Sequence, residues 1–494
     1  MLSLTTLALT ALPIALAQSS NDEQVIGVYM FHRHGDRTAK MTPPANFTGL
    51  GYEEVHRSGQ YYRSRYIAPD ADFRINGVNP DIVKQTQIAV SSPEDVVLQD
   101  STMGFLQGLY PPVGDDLATT TLRNGTEITA PLDGYQLIPV TQVDSGTDSE
   151  NNAWLQSATG CGQATISSNQ YFSSKEYNDL LASTQDFYTG LTPALERTFN
   201  ESEISYKNAY TIWDLINVAQ IHNSTYGGSD LINNTSFEQL TGLANAHEWG
   251  LAYNESESAT ENVRAISAMV LAGEIVEFLN KTITSEGKQK IGVQFGAYAT
   301  FASFFGLAGL QNVNDDFRGV VDYASSMTFE LFTNSSVTVS ADNYPSEDEI
   351  YVRFLFSNGT ATNESEPTPY PLFGSGQTAI SWKEFTAGMD NFAIRDNEHW
   401  CTICGETDGT CAAYASESSG NDGASASASS GEKSGNGLSP AVNGVIGAMV
   451  TLAVVLGLEA LILVVGGFRV VSKKRLAAAA AATPVNGGEP KSAA

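Results

Sequence analysis

The sequence predicts an α/β fold with a parallel-dominated central sheet, because short apolar strands are separated by amphipathic helices along most of the chain. Residues 25–31 form a nearly continuous apolar run, as in a strand buried on both faces. Further runs with strand character lie at residues 87–90, 290–295, 323–332 and 350–356. Apolar residues at helical spacing predict helices between them, at residues 175–188, 206–220 and 262–279.

Residues 18–413 have a globular composition, long enough for one large domain with an inserted lobe. The stretch from about 117 to 253 is richer in helical patterns, Asn, Ser and Tyr, which favours a mostly helical insertion. Within it, Ser173 and Glu176 have the spacing of a capping box, so we expect a helix to begin there.

Two apolar segments flank this region. Residues 1–17 are predicted to be a signal peptide, because an apolar stretch ends in the small-x-small sequence Ala15-Leu16-Ala17. Residues 445–468 would span about 36 Å as a helix, which is enough to cross a bilayer core. Basic residues follow this span and predict a cytosolic tail over residues 469–494.

The chain is therefore predicted to be a single-pass type I membrane protein that contacts the lipid bilayer through one helix. Residues 414–444 are rich in Ser and Gly and predict a flexible stalk. Eleven Asn-x-Ser/Thr sequons lie between the two apolar segments and indicate a glycosylated extracellular or luminal surface. The plasma membrane and the endomembranes both fit this pattern.

A net charge of −29 excludes a nucleic-acid-binding protein on electrostatic grounds. Four cysteines in an oxidising compartment predict two disulfide bonds, with three pairings open, among Cys161, Cys401, Cys404 and Cys411. A zinc site formed by His399 and the last three cysteines is the alternative.

Residues 32–38, here called the motif segment, carry the strongest chemical signal: His32-Arg33-His34-Gly35-Asp36-Arg37-Thr38. They directly follow the first predicted strand, and ligands of α/β sheets bind at strand carboxyl ends. Arg33 and Arg37 offer bidentate donors for phosphate oxygens, and His34 between them is a suitable nucleophile. A metal site of His32, His34 and Asp36, or a solvated charged loop, are the alternatives.

The motif segment resembles the Arg-His-Gly-x-Arg signature of the histidine acid phosphatases. The similarity extends through Gly51, Gly59 and Leu109-Tyr110-Pro111 to the strands at 323–332 and 350–356. This resemblance implies a phosphoglycerate-mutase-like core with a mixed, mainly parallel sheet and a helical cap, working without a cofactor or metal. It also implies that His34 forms a phosphohistidine and that Arg33 and Arg37 bind phosphate.

Three positions depart from the family pattern. Counting back from Tyr110 places Ser91 where the family has a further phosphate-binding arginine. Ala297 and Tyr298 stand where the family has a His-Asp pair, whose Asp protonates the leaving group. The candidate substitutes for the missing proton donor are Asp36, Glu94, Asp95, Tyr298 and the pair His247-Glu248.

Two functions follow from these residues. One is a phosphomonoesterase that acts through His34 on a phosphate-bearing small molecule or protein, slowly or only on good leaving groups. The other is an inactive pseudophosphatase that binds an anionic ligand or serves as a surface scaffold. The intact motif segment favours a phosphate site, whereas Ser91, Ala297 and Tyr298 favour impaired turnover.

Overall fold

The computed structural model describes residues 23–143, 160–223, 232–335, 339–340 and 343–415. All of them belong to the first of the two units into which the chain divides, Met1–Gly420. The predicted signal peptide, the membrane span, the tail and nearly all of the stalk lie outside the described residues. Among the residues described, no helix combines the length and the apolar character that crossing a membrane requires.

Ten strands occur in the described ranges. They are β1 (Gln24–Arg33), β2 (Ile88–Pro93), β3 (Thr119–Thr121), β4 (Glu127–Thr129), β5 (Thr141–Val143), β6 (Ile291–Gly296), β7 (Ser326–Thr333), β8 (Ile350–Ser357), β9 (Thr368–Tyr370) and β10 (Ala379–Ser381). The five predicted strands correspond to β1, β2, β6, β7 and β8, with shifted ends.

Eight of these strands form one sheet in the order β10-β8-β7-β1-β6-β2-β5, with β9 beside β8. The strands β1, β6, β2 and β5 are parallel, whereas β7, β8, β9 and β10 pair antiparallel with their neighbours. The predicted α/β fold with a mixed, mainly parallel sheet is confirmed. However, β5 falls inside the stretch predicted as the insertion and pairs with β2 instead.

Helices cover both faces of this sheet in the described ranges. They are α1 (Gly49–Tyr66), α2 (Val96–Leu109), α3 (Asp115–Ala118), α4 (Pro131–Gly134), α5 (Gly162–Gln170), α6 (Lys175–Ser183), α7 (Gln185–Gly190), α8 (Thr192–Leu195), α9 (Ala209–His222), α10 (Asn234–Ala252), α11 (Ile266–Thr284), α12 (Tyr298–Leu307), α13 (Trp382–Asp390), α14 (Asn397–Cys404) and α15 (Ala412–Ala415).

The prediction of a single helix over residues 175–188 is wrong. It divides into α6 and α7 at Thr184, whose hydroxyl donates to the Leu180 carbonyl oxygen at 2.6 Å and whose backbone leaves the helical region. The helix cap is Ser174 rather than Ser173, because the Ser174 hydroxyl accepts from the Tyr177 amide at 3.1 Å.

The period-two alternation of β1 divides the core into two layers. Val28 and Met30 pack with α1 and α2 on one face, while Tyr29 and Phe31 belong to the cluster formed with α5–α12 on the other. The cysteines pair as Cys161–Cys404 and Cys401–Cys411, so the predicted disulfides form. With all four sulfurs in these bonds, the alternative zinc site with His399 is wrong.

Candidate active site

The motif segment leaves β1 at the carboxyl edge of the sheet. Because side chains alternate along β1, His32 faces the α1–α2 layer, whereas Arg33 faces the start of α12 and residues 321–323. The next residues turn across the sheet edge under α9. The family-implied residues Arg33, His34 and Arg37 are all at most 1% exposed, so the site they form is closed to solvent.

His32 is a core residue. Its ring packs against the rings of Tyr62, Phe105 and Phe295, with centroids 4.4–5.5 Å apart. Burial in this aromatic cage lowers the pKa of His32 to about 3, so the imidazole is neutral. The metal alternative with His34 and Asp36 is not supported, because no group of three suitable ligands converges anywhere in the described ranges.

His34 has a fixed ring orientation. Its Nδ1 lies 2.7 Å from the Gly35 carbonyl oxygen, which only accepts hydrogen bonds, so Nδ1 carries the proton. Nε2 then holds the lone pair that a nucleophile needs. Gly35 is required by close packing: a Cβ there would stand 2.3 Å from the Gly51 carbonyl oxygen of α1.

Arg33 is a buried cation with two donors to spare. Its Nη1 donates to the Val321 carbonyl oxygen, and its guanidinium lies over the rings of Tyr298 and Tyr323, at 5.3 and 4.6 Å. Nε and Nη2 are buried and have no hydrogen-bond partner among the described residues. Because an unpaired buried donor is costly, these two groups favour an incoming anion.

Arg37 is neutralised by the protein itself. Its Nη1 lies 3.0 Å from Oδ1 and 3.3 Å from Oδ2 of Asp214 on α9, and both side chains are at most 1% exposed. Nη2 also donates to the Tyr210 hydroxyl at 3.4 Å. A phosphate that engages Arg37 must therefore compete with a buried carboxylate.

The ring of Tyr323 lies among the three family-implied side chains. Its centroid is 5.5 Å from that of His34, 4.6 Å from the Arg33 guanidinium carbon and 5.8 Å from that of Arg37. Its hydroxyl is buried without a hydrogen-bond partner among the described residues, and burial raises its pKa to about 12. The ring therefore fills space that a phosphate between these groups would need.

Asp36 connects the motif segment to the helices around it through three hydrogen-bonding contacts. Its carboxylate accepts from the Thr48 hydroxyl and lies 2.6 Å from Nε2 of His222 on α9. Its amide donates to Oε2 of Glu54 at 2.7 Å. Burial raises the pKa of Glu54 to about 7, so this carboxyl keeps a proton in mildly acidic solution.

Ser91 lies three residues short of the sheet edge. It pairs with Gln294 on β6, which pairs with Phe31 on β1, so Ser91 is level with Phe31 rather than His34. The edge position on β2 is Glu94, which is exposed, and the next residue caps α2 by accepting from the Leu98 amide at 3.0 Å. Neither Ser91 nor Glu94 supplies the basic group that the family pattern implies.

Ala297 and Tyr298 lie at the sheet edge, directly after β6. Gly296 pairs with Arg33, so Ala297 is level with His34. The Tyr298 hydroxyl donates to Oε2 of Glu248 at 2.5 Å, and its ring stacks on Tyr210. Its proton is therefore directed toward α10 and away from His34.

Within the described ranges, the pair His247–Glu248 is connected to this site through Tyr298. Oε1 of Glu248 lies 2.8 Å from Nδ1 of His247, and its other oxygen accepts from Tyr298. Through the hydrogen bond from Tyr298, the pair connects α10 to α12.

Sequence reasoning missed the residues that close the site. Tyr210, Asp214 and His222 follow one another at multiples of four along α9 and so lie on the same side of the helix. The available signal is Asp214, the single acidic residue of a largely apolar helix, because a buried carboxylate needs a partner. Tyr323 carried no such signal.

A family model described as the histidine phosphatase superfamily, branch 2, matches residues 42–357. Among solved structures, the apo phytase of Hafnia alvei is 12% identical, covers 78% of this chain and 99% of its own, and has a TM-score of 0.49. The Citrobacter braakii phytase is 14% identical, with coverages of 77% and 99% and a TM-score of 0.49. The phosphate complex of Bifidobacterium longum multiple inositol polyphosphate phosphatase is 12% identical, with coverages of 77% and 95% and a TM-score of 0.42. A search of curated protein sequences found no match.

Proposed function

Because the chain belongs to the histidine phosphatase superfamily, branch 2, we propose that it hydrolyses phosphomonoesters through a phosphohistidine formed at His34. The observation that supports this most directly is the anchored imidazole, whose Nδ1 is held by the Gly35 carbonyl oxygen. An Nε2 lone pair beside a buried arginine with two unpaired donors is suited to attack on phosphorus.

The reaction has two displacements. In the first, Nε2 of His34 forms a bond to phosphorus, and the bond from phosphorus to the alcohol oxygen breaks with its electron pair on that oxygen. In the second, the water oxygen forms a bond to phosphorus, the bond from phosphorus to Nε2 breaks with its electron pair on Nε2, orthophosphate is released, and the water proton passes to solvent. Arg33 stabilises the charge on the phosphoryl oxygens in both steps.

Neither of the two family positions after β6 supplies a proton donor for the first step, because Ala297 cannot donate and Tyr298 donates to Glu248. A missing general acid costs about 10²–10⁴ in rate for a poor leaving group. An aryl oxide leaves without protonation, whereas an alkoxide does not. We therefore expect turnover to be slow or restricted to good leaving groups.

The test uses the full-length protein with an aryl phosphate and an alkyl phosphate, from acid to neutral pH. We expect aryl phosphate hydrolysis that disappears in His34→Ala and persists in His399→Ala, an exposed histidine on α14. Equal hydrolysis in wild type and His34→Ala would exclude a His34 phosphatase.

A second function is favoured by the closed site: an inactive pseudophosphatase that binds an anionic ligand or acts as a scaffold. Its support is that Asp214 neutralises Arg37 and the Tyr323 ring occupies the space beside His34. Calorimetry with orthophosphate tests it. Binding without hydrolysis, weakened in Arg33→Ala and unchanged in the exposed control Arg57→Ala, supports this function. No binding in wild type argues against an anion-binding role.

We also propose that residues 18–413 form a glycosylated ectodomain on a stalk at 414–444, joined to one membrane helix at 445–468. The support is the sequence pattern, together with the exposure of ten of the eleven sequon asparagines, Asn254 being half-buried. A loss of mass on treatment with peptide N-glycosidase, and recovery of the protein in the detergent phase, are expected. A protein that stays in the aqueous phase would contradict the anchor.

A further inference from the structure

A second group of basic residues surrounds a cavity at the opposite end of the sheet. This basal cavity has a volume of about 480 Å³ and lies at the amino ends of β1 and β6. Its lining includes Ile26 of β1, seven residues before Arg33, which is about 23 Å along a strand. It is therefore separate from the His34 site.

Three lysines line the basal cavity: Lys84, Lys288 and Lys290. None of their side chains makes a hydrogen bond or ion pair with a described residue. One carboxylate, Glu286, also lines the cavity, so the lining carries a net charge of about +2 when the lysines are protonated. This local excess of positive charge is opposite in sign to the net charge of the chain, which has 55 acidic and 26 basic residues.

Lys290 is the central residue because it is buried and held in place. Its side chain is only 8% exposed, and its backbone is tied to both neighbouring strands through the Gln87 and Val28 hydrogen bonds. Its ammonium reaches two glycines with positive φ: a Cβ would stand 3.1 Å from Nζ at Gly287 and 3.7 Å at Gly77. Any larger residue at these positions would narrow the space around the ammonium.

An unpaired ammonium in this position is costly. Burial, with a further contribution from Lys84, lowers the pKa of Lys290 to about 8. An anion in the cavity would replace the solvation that the Lys290 ammonium loses on burial. It would also offset the charge repulsion between Lys290 and Lys84.

We propose that the basal cavity binds a phosphate group through Lys290, Lys84 and Lys288. Lysine binds phosphate as a point charge, and a phosphate dianion matches the net charge of the lining. The volume lies within the range of small-molecule sites, so the group is either free orthophosphate or the phosphoryl end of a small molecule. This site does not depend on catalysis at His34.

Pyridoxal 5′-phosphate is the probe, because it combines a phosphate with an aldehyde that reports on a nearby lysine. The neutral amine of Lys290 attacks the aldehyde carbon and water leaves to give an imine. Borohydride then delivers a hydride to the imine carbon and gives a stable secondary amine. Peptide mapping of the full-length protein measures the label at each lysine.

Pyridoxal reacts more slowly with any lysine, because its free 5′-hydroxyl closes on the aldehyde as a hemiacetal, so the labelling rate with pyridoxal 5′-phosphate divided by that with pyridoxal is compared between two lysines. We expect this ratio to be about tenfold higher at Lys290 than at the exposed Lys383 on α13, the factor that 1.4 kcal/mol gives. Orthophosphate or glycerol 3-phosphate should slow the labelling of Lys290 by pyridoxal 5′-phosphate. Protection by both identifies free phosphate as sufficient, and protection by glycerol 3-phosphate alone identifies a phosphoryl group on a larger molecule.

The exposed Lys383 on α13 is the internal control, because its ratio gives the intrinsic difference between the two aldehydes, and we expect no protection there. The variant Lys84→Gln should lose protection at Lys290, and Lys383→Gln should keep it. A ratio at Lys290 no higher than that at Lys383, or no protection by either phosphate, would overturn the proposal. The same labels are measured in His34→Ala, so that hydrolysis of the probe or of glycerol 3-phosphate at the carboxyl end of the sheet cannot change the result.

Discussion

Two groups of basic side chains lie at opposite ends of the same central strands, and they differ in whether the protein pairs and encloses them. At the carboxyl end, Asp214 pairs with Arg37 and the Tyr323 ring covers Arg33. At the amino end, Lys290 and Lys84 face a cavity with no ion pair to a described residue. The end with the recognisable motif is the closed one.

The difference shows that a motif identifies chemistry but not accessibility. The His34 ring in the motif segment has the orientation that the proposed nucleophile needs, yet α9 and Tyr323 enclose the segment. No sequence motif marks the basal cavity, because its lysines come from separate segments around residues 84 and 288–290. The predictions below alter each end in turn.

The largest effect is expected from Asp214→Asn, which leaves Arg37 buried without its counter-charge. Breaking a buried pair by removing one partner costs about 3–5 kcal/mol of unfolding free energy. Chemical denaturation measures it. The matched control is Asp179→Asn, which breaks an exposed pair with Lys175 and should cost about 0.5 kcal/mol or less. Similar losses in both variants would mean that Asp214 is not the partner that stabilises Arg37.

Tyr323→Ala is expected to open the carboxyl end. The ring makes cation–π contacts with Arg33 and Arg37, each of about 0.5–1 kcal/mol, and a phosphate must replace them. Orthophosphate affinity, measured by calorimetry, should rise about tenfold. Tyr323→Phe keeps the ring and removes only the hydroxyl, so its affinity should match wild type. An unchanged affinity in Tyr323→Ala would show that the ring does not compete with phosphate.

Glu54 gives the carboxyl end a pH dependence. Its pKa of about 7 in the folded protein exceeds the unfolded value of about 4.3, so the folded state holds the proton more tightly. The contribution of Glu54 to stability is therefore full below pH 4 and is lost as pH rises toward 7. Glu54→Gln should flatten that part of the stability–pH curve, measured by thermal unfolding. Glu53→Gln, a neighbour that is 67% exposed, should leave the curve unchanged.

The elements with a strong local pattern were predictable: β1, the motif segment after it and the disulfide cysteines. The residues that close the site were not, because they come from distant parts of the chain. Asp214 is 177 residues from Arg37, and a helical pattern does not show which loop a helix will cover. The break at Thr184 was missed for a different reason: the apolar stripe continues across it, and the side-chain hydrogen bond that ends α6 leaves no periodic signal.

The smallest effect is expected at the amino end, from Lys84→Gln. Lys84 lowers the pKa of Lys290 by charge repulsion, but burial is the larger cause, so the variant should raise that pKa only part of the way from about 8 toward its ordinary range. The pH dependence of Lys290 labelling by pyridoxal, which lacks a phosphate, reports this pKa directly. Since only the neutral amine reacts, the labelling curve should move to higher pH in Lys84→Gln and stay in place in Lys383→Gln. A curve that does not move would mean that Lys84 and Lys290 do not share one charged cavity, and the contrast between the two ends of the sheet would then rest on Lys290 alone.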